Sequence, residues 1–315
     1  MASQLSSGDL LADRRYRYAE ACLAEGDHAG AADLAEQVLE IAPRYAPAWL
    51  LLGRAREGLA EPGGDPDLRA AAARAYACAL GIDPDDTLGV RAHLVRLGSS
   101  DGLPALSPAY VKALFDGYAP RFERHLVEGL GYVGPDLVRD ALPPEPPHFA
   151  TALDLGCGTG LMGAAIRDRV GHLAGVDLSP GMLSLARAKL QNARPLYDRL
   201  VEGELTAFLV GEPAVSADLC LAADVLIYVA DLGPVLAEMG RVLRPGGLAA
   251  FTVQSHDGTG AALGPDGRYA HADAHVAAAA AGAGLAILTL RPADVRREAG
   301  RPVPGRVVVL RRTAA

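Results

Sequence analysis

The segment Asp154-Leu155-Gly156-Cys157-Gly158-Thr159-Gly160 narrows the fold of this 315-residue chain more than any other stretch. It follows the apolar run 150–155 and precedes a helical pattern over 161–169. Three glycines at alternate positions let a backbone turn sharply off a strand and admit a ligand at close range. Downstream, β-rich runs at 150–155, 172–177, 217–222, 247–254, 285–291 and 305–311 alternate with helical patterns near 161–169, 180–191, 231–243 and 273–282. Such alternation predicts a parallel sheet covered by helices on both faces, with ligands at the carboxyl edge of its strands. The last two apolar runs, joined by a Pro/Gly-rich connection, predict an antiparallel strand inserted at one edge.

A dinucleotide-binding fingerprint competes for such a loop, but it requires Gly-x-Gly-x-x-Gly. Here the glycines alternate behind an aspartate. Asp177 ends the second β-rich run in Gly175-Val176-Asp177-Leu178-Ser179, 23 residues after Asp154. A carboxylate there is able to accept protons from two neighbouring hydroxyls. Ser179 and Pro180 form a helix cap and first turn, and Met182 lies one turn inside, where a thioether suits a planar ring. Leu243-Arg244-Pro245-Gly246-Gly247 reads as a turn before the next apolar run. Singly, each has a plain structural reading: Met182 as core, Asp177 as a cap, Arg-Pro-Gly-Gly as a turn.

Together and in this order they resemble the class I S-adenosylmethionine-dependent methyltransferases, with Asp154, Gly156, Cys157, Gly158 and Gly160 in the first motif. The resemblance covers about 150–315 and implies an α/β fold, a Rossmann-like, seven-stranded, mostly parallel sheet. It implies that S-adenosyl-L-methionine is bound and S-adenosyl-L-homocysteine released, with Asp177 on the ribose beside Leu178, and Met182 on the adenine. Glu204 is implied to take the adenine amino group with Leu205 beneath the ring. Glu202 competes for that role.

Residues 10 to about 98 are rich in Ala, Leu and Arg at helical spacing and repeat themselves. Leu39-Glu40-Ile41-Ala42-Pro43 matches Leu80-Gly81-Ile82-Asp83-Pro84, with small residues at Ala31 and Ala72 and, in the preceding helices, Ala19 and Gly53. Trp49, Leu52 and Gly53 stand where the first helix of a tetratricopeptide repeat (TPR) carries aromatic, apolar and small residues. The spacing of 41 residues from Pro43 to Pro84 exceeds the usual repeat by the insertion Glu61-Pro62-Gly63-Gly64-Asp65-Pro66. This part resembles two TPR units, closed by a last helix over 86–97. A plain helical bundle is the alternative. The expected division is a TPR-like all-α domain over 1–98, a linker (98–104) and cofactor-covering helices within 99–149, and the catalytic domain over 150–315.

A narrower resemblance, to predicted TPR-containing methyltransferases, rests on three segments. These are Leu114-Phe115-Asp116-Gly117-Tyr118-Ala119-Pro120-Arg121-Phe122-Glu123-Arg124-His125-Leu126, Ala223-Asp224-Val225-Leu226-Ile227-Tyr228, and Gly267-Arg268-Tyr269-Ala270-His271. In this fold the helix before the first strand covers the cofactor, so Tyr118 and Phe122, four residues apart, are placed near the sulfonium; packing serves Phe122 equally well. Asp224 is assigned to the cofactor, and Tyr228, Arg268 and Tyr269 to the acceptor, where Arg268 would neutralise a carboxylate or phosphate. His271, expected in the loop after 247–254, and His125 are the candidate bases. A solvated loop position for His271 and a structural role for His125 compete.

Composition removes several classes. A net charge of −8 and a pI near 5.5 argue against a nucleic-acid partner, as does the absence of an Asn/Asp-Pro-Pro-aromatic motif after 217–222 and of any Pro-Cys pair. Cys22, Cys78, Cys157 and Cys220 lack metal-ligand or redox spacing, so no metal is expected. No secretory or membrane-spanning run is present, and a cytoplasmic setting follows. The expectation is methyl transfer to an O- or N-nucleophile of a small molecule. The alternatives are a protein methyltransferase whose TPR face recruits its target or a protein partner, a nucleic-acid methyltransferase, and a binding module that has lost activity.

Overall fold

Aspartates and prolines set where the N-terminal helices begin. Asp9 accepts from the Leu11 and Ala12 N–H groups to open α1 (Leu10–Glu25), and Asp27 from Gly30 to open α2 (His28–Ile41). Pro47 stands in the first turn of α3 (Ala46–Ala60), and Asp65 caps α4 (Pro66–Ile82). The computed structural model describes residues 6–61, 63–98, 106–298 and 300–313. Pro62 of the insertion and 99–104 of the expected linker lie outside them. The chain divides into two units, one ending at Val111 and the other starting at Lys112.

In the first unit each helix packs on the next. Ala19, Ala31, Ala35, Ala48, Ala55, Ala72 and Ala75 have no exposed surface, because only a methyl group fits between backbones this close. Gly53 lies under the Tyr76 ring, where a Cβ would sit 2.3 Å from a ring carbon. The helix expected over 86–97 is shorter, α5 (Val90–Arg96). Asp86 stays outside it at φ 56°, and its carboxylate accepts from the Val90 and Arg91 N–H groups at 2.6 and 3.2 Å.

α6 (Pro108–Tyr118) begins at Ser107, whose Oγ accepts from the Tyr110 N–H. A 3-10 turn (Ala119–Arg121) and a π-helical turn (Arg124–Gly129) follow, then α7 (Gly134–Ala141). The alternating part runs β1 (Phe149–Leu155), α8 (Leu161–Ile166), β2 (Val170–Asp177), α9 (Pro180–Ala188), β3 (Leu190–Gln191), β4 (Arg194–Pro195), β5 (Arg199–Glu202), α10 (Leu205–Gly211) and β6 (Ala217–Ala222). It continues with α11 (Leu232–Val242), β7 (Leu243–Ser255), β8 (Ala261–Leu263), β9 (Tyr269–His271), α12 (Asp273–Gly282), β10 (Leu285–Glu298) and β11 (Arg301–Arg312).

The main sheet has the order β10-β11-β7-β6-β1-β2-β5, with β11 antiparallel to both neighbours and the last five strands parallel. It holds nine strands, not the expected seven. β6 stops at Ala222 opposite Phe251, so the end of β7 is left without a partner on that side. β9 pairs there with Gln254 and Ser255, and β8 pairs with β9. The Arg244-Pro245-Gly246-Gly247 segment is a bulge inside β7 rather than a turn before it. Pairing steps from Ala217–Leu243 to Leu219–Leu248, with Gly246 at φ 81°. Both faces are buried: Ala249, Phe251 and Val253 pack under α10–α12, and Leu248 and Ala250 under α7–α9.

Candidate active site

The carboxyl ends of β1, β2, β5, β6 and β7 meet at one edge. There the Cys157 N–H donates to the Val176 carbonyl at 2.9 Å, tying the glycine loop to β2. Gly156 has φ 65°, and a Cβ on it would lie 2.6 Å from Val225. Cys157 is buried beneath, and Gly160, at φ 95°, starts α8. Gly158 differs. At φ 52°, a Cβ on it would meet nothing within 4 Å, so the loop presents bare backbone to open space. Gly158→Ala is expected to cost about 1–2 kcal/mol of stability from left-handed strain, yet to lower cofactor affinity more than tenfold by filling that space. Calorimetry showing unchanged affinity would take Gly158 off the binding surface.

Asp177 joins two segments of this edge. Its Oδ2 accepts from the Gly158 N–H and its Oδ1 from the Ser179 N–H, both at 2.8 Å. Each oxygen keeps a lone pair for a ligand hydroxyl. Burial raises its pKa. Ser179 caps α9 through the Met182 N–H and donates to Asp116 Oδ1 at 2.6 Å. Met182 itself is 1% exposed. The Leu178 carbonyl accepts from Lys112 Nζ, which also pairs with Glu202 at 2.7 Å. Glu204 caps α10 by accepting from the Ala207 N–H, and Leu205 begins that helix, half-buried. Of the two candidate acids, Glu202 is ion-paired and Glu204 keeps one carboxylate oxygen outside its cap.

Asp154 lies beneath the loop, where its Oδ2 accepts from the Tyr197 hydroxyl at 2.6 Å. Burial, followed by the Asp177 charge, raises its pKa to about 7 despite that hydrogen bond. A carboxyl whose pKa rises on folding holds its proton more tightly folded than unfolded. Stability is therefore greatest below the ordinary carboxylate range and falls with rising pH until the folded pKa is passed. Asp154→Asn is expected to remove this slope, so its melting temperature gains on wild type between pH 3.8 and about 7. Parallel curves would mean that Asp154 ionises normally.

The other half of the edge is aromatic and charged. Tyr118 and Phe122 meet edge-on at 5.3 Å, across a 3-10 turn rather than along one α-helix. The Tyr118 hydroxyl is hydrogen-bonded to His125 Nδ1, which stands in the π-helical turn, a form often found at functional sites. Asp224 follows β6 at φ 60°, held by the Thr252 hydroxyl and by Arg296 at 2.7 Å. Tyr228 lies 3.5 Å from Arg268 Nε, and Arg268 pairs with Glu298 and Asp266. Arg268 is therefore already neutralised by the protein. Asp224 and Tyr228 reach solvent only in part, and burial raises the pKa of both.

His271 is not in a loop. It lies in β9 beside Ser255 with no exposed surface, its Nε2 at 3.2 Å from the Leu226 carbonyl and its ring stacked on His275. Burial lowers its pKa to about 4. Tyr269 is buried in the same strand. The strand forms because the end of β7 needs a partner, which periodicity in a three-residue segment does not reveal.

Sequence reasoning missed Arg296, Tyr197, Asp116 and Lys112. Arg296 is 2% exposed yet binds Asp224, Gln254 and Glu298, a burial that an arginine in an alternating strand does not advertise. No group of three or more His, Cys, Asp or Glu among the described residues is placed to hold a metal ion. No helix among them is long and apolar enough to cross a membrane.

Residues 153–251 match the family model described as a methyltransferase domain. The chain is 35% identical over 100 residues to the malonyl-(acyl-carrier protein) O-methyltransferase of Serratia marcescens, which covers 32% of this chain and 36% of that protein. It is 33% identical over 159 residues to the 2-phytyl-1,4-naphtoquinone methyltransferase of Thermosynechococcus vestitus, covering 48% and 67% respectively. Among solved structures, the (4+2)-cyclase SpnF superposes with a TM-score of 0.56 at 17% identity, over 68% of this chain and all of that one. The N1-methyltransferase for 1,6-didemethyltoxoflavin from Burkholderia thailandensis, holding S-adenosylhomocysteine, gives 0.50 at 20% identity over 65% of this chain and 89% of that one. The chain belongs to the class I S-adenosylmethionine-dependent methyltransferases. It spans about a third of the Serratia relative's length.

Proposed function

We propose that this chain transfers the methyl group of S-adenosylmethionine to an oxygen or nitrogen of a small molecule. The observation that carries the reading is the Asp177 carboxylate, which holds the Gly158 and Ser179 N–H groups beside open space at Gly158. That cradle suits a ribose with its attached chain. The SpnF structure bears the name of a cyclase, so the fold alone does not specify methyl transfer. The sulfonium supplies an activated methyl group when bound. The protein's tasks are to align the acceptor, exclude water and remove a proton. Asp154 supports the loop from beneath through Tyr197, and the Tyr118–His125 pair is the candidate base. Both relatives described above are methyltransferases named for a small or carrier-bound acceptor.

The test is incubation with cell extract and S-adenosylmethionine labelled in its methyl group, followed by mass spectrometry. Label is expected in the small-molecule fraction. Label in protein would favour the protein-methyltransferase reading, and failure to bind the cofactor would end both.

We read α1–α5 as two TPR-like repeats, the second stretched by its insertion, forming a recruiting surface for substrate or a protein partner. Gly53 beneath Tyr76 supports that reading, as does Trp49, whose Nε1 donates to the Pro43 carbonyl. A chain lacking residues 1–98 is expected to keep cofactor binding. If it also keeps full turnover on the native acceptor, the repeats do not recruit substrate. The four free cysteines fit a reducing, cytoplasmic setting.

A further inference from the structure

Aromatic side chains are scarce here, with one Trp, ten Tyr and five Phe. Phe149, Phe208 and Phe251 are buried in the core, but Phe115 and Phe122 stand half-exposed on the covering segment. Phe115 meets Tyr228 at 5.4 Å and Phe122 at 6.1 Å, Phe122 meets Tyr118 at 5.3 Å, and Tyr118 meets His125 at 5.6 Å, all edge to face. An edge-to-face contact occupies the edge of one ring and one face of the other, so four such contacts among five rings leave ring faces for a further planar group. The wall ends at a hydroxyl–imidazole pair.

Charge narrows the occupant. Around Tyr228, the two guanidiniums of Arg268 and Arg296 face the three carboxylates of Asp224, Asp266 and Glu298. The cluster therefore carries no surplus cation to hold a carboxylate or phosphate. Arg121, whose charge reaches Tyr118, is exposed. An alkylammonium fits the charge but has no lone pair to attack with. A neutral aromatic ring bearing a hydroxyl fits wall, charge and proton acceptor together.

We propose that the acceptor is an uncharged phenol, its ring seated on Phe115 and Phe122 and its hydroxyl at the Tyr118–His125 pair. This rests on the methyltransferase reading. The phenolic proton passes to the Tyr118 oxygen as the Tyr118 proton passes to His125 Nδ1. The phenolic oxygen forms its bond to the methyl carbon while the carbon–sulfur bond breaks, leaving its electron pair on sulfur. The products are an aryl methyl ether, S-adenosylhomocysteine and a proton that leaves the imidazolium to water.

The test uses the full chain loaded with S-adenosylhomocysteine and three probes: 2-naphthol, 2-naphthoate and phenethylamine. Calorimetry is expected to show 2-naphthol binding at least tenfold tighter than the other two. With S-adenosylmethionine in place of its product, 2-methoxynaphthalene should form. Phe122→Ala should weaken 2-naphthol at least fivefold, and by a larger factor than it weakens S-adenosylhomocysteine. If that variant does not fold, Phe122→Leu keeps the bulk and removes the ring. Equal or tighter binding of 2-naphthoate or phenethylamine overturns the proposal, as does 2-naphthol binding indifferent to the Phe122 ring. Wild-type protein that fails to bind S-adenosylhomocysteine overturns the methyltransferase reading itself, a separate and prior result.

Discussion

Asp177→Ala is expected to weaken S-adenosylmethionine binding by about 10²–10⁴-fold. Two hydrogen bonds from ligand hydroxyls to a charged acceptor are worth about 1.5–3 kcal/mol each, and every 1.4 kcal/mol is about tenfold in affinity. The same carboxylate also fixes the Gly158 and Ser179 N–H groups at 2.8 Å, so its loss loosens the loop that meets the ligand. Asp177→Asn should fall between wild type and alanine, since an amide accepts at one end only. Isothermal calorimetry on a folded variant decides the matter: affinity within threefold of wild type would leave Asp177 as a loop brace with no ligand contact.

Removing the hydroxyl–imidazole pair is expected to act on turnover instead. Tyr118→Phe and His125→Ala should each lower kcat by roughly 10²–10⁴-fold, the usual contribution of a positioned proton acceptor. The double variant should be little worse than either single one, because the two groups act as one relay. His271→Ala makes the contrast. That imidazole is fully buried and bound to the Leu226 carbonyl, so its loss should appear as a lower melting temperature with kcat retained in the folded fraction. Single-turnover kinetics on the native acceptor separates the cases. A Tyr118→Phe enzyme with wild-type kcat, beside a His271→Ala enzyme with none, would return the base to β9.

Local order in the chain placed six strands of the sheet and missed the four-residue β5 at its edge. The strand–helix alternation after residue 150 and the antiparallel last strand are in the structure, because apolar runs of six to eight residues and capped helices are short-range signals. The β8–β9 hairpin left no such signal. Its three-residue strands exist because β6 ends early, a fact about a neighbour some 30–50 residues away in sequence. The same distance hid half of the edge. Glycines, Asp177 and the Ser179-Pro180 cap stand within one βαβ unit and can be read from spacing. The pairing of Asp154 with Tyr197 and of Asp224 with Arg296 spans 43 and 72 residues.

By itself, then, the order of residues determined the doubly covered sheet, the glycine loop at its carboxyl edge and the small-residue contacts between the N-terminal helices. Each follows from periodicity or from a backbone conformation that few residues adopt. Tertiary structure alone decided the charge around Tyr228, where Glu298 and Asp266 cancel an arginine that looked free. It also gave the histidines different surroundings, burying His271 against a carbonyl and joining His125 to Tyr118. Charge and proton affinity depend on what surrounds a group in space, and the chain brings those surroundings from strands far apart in sequence.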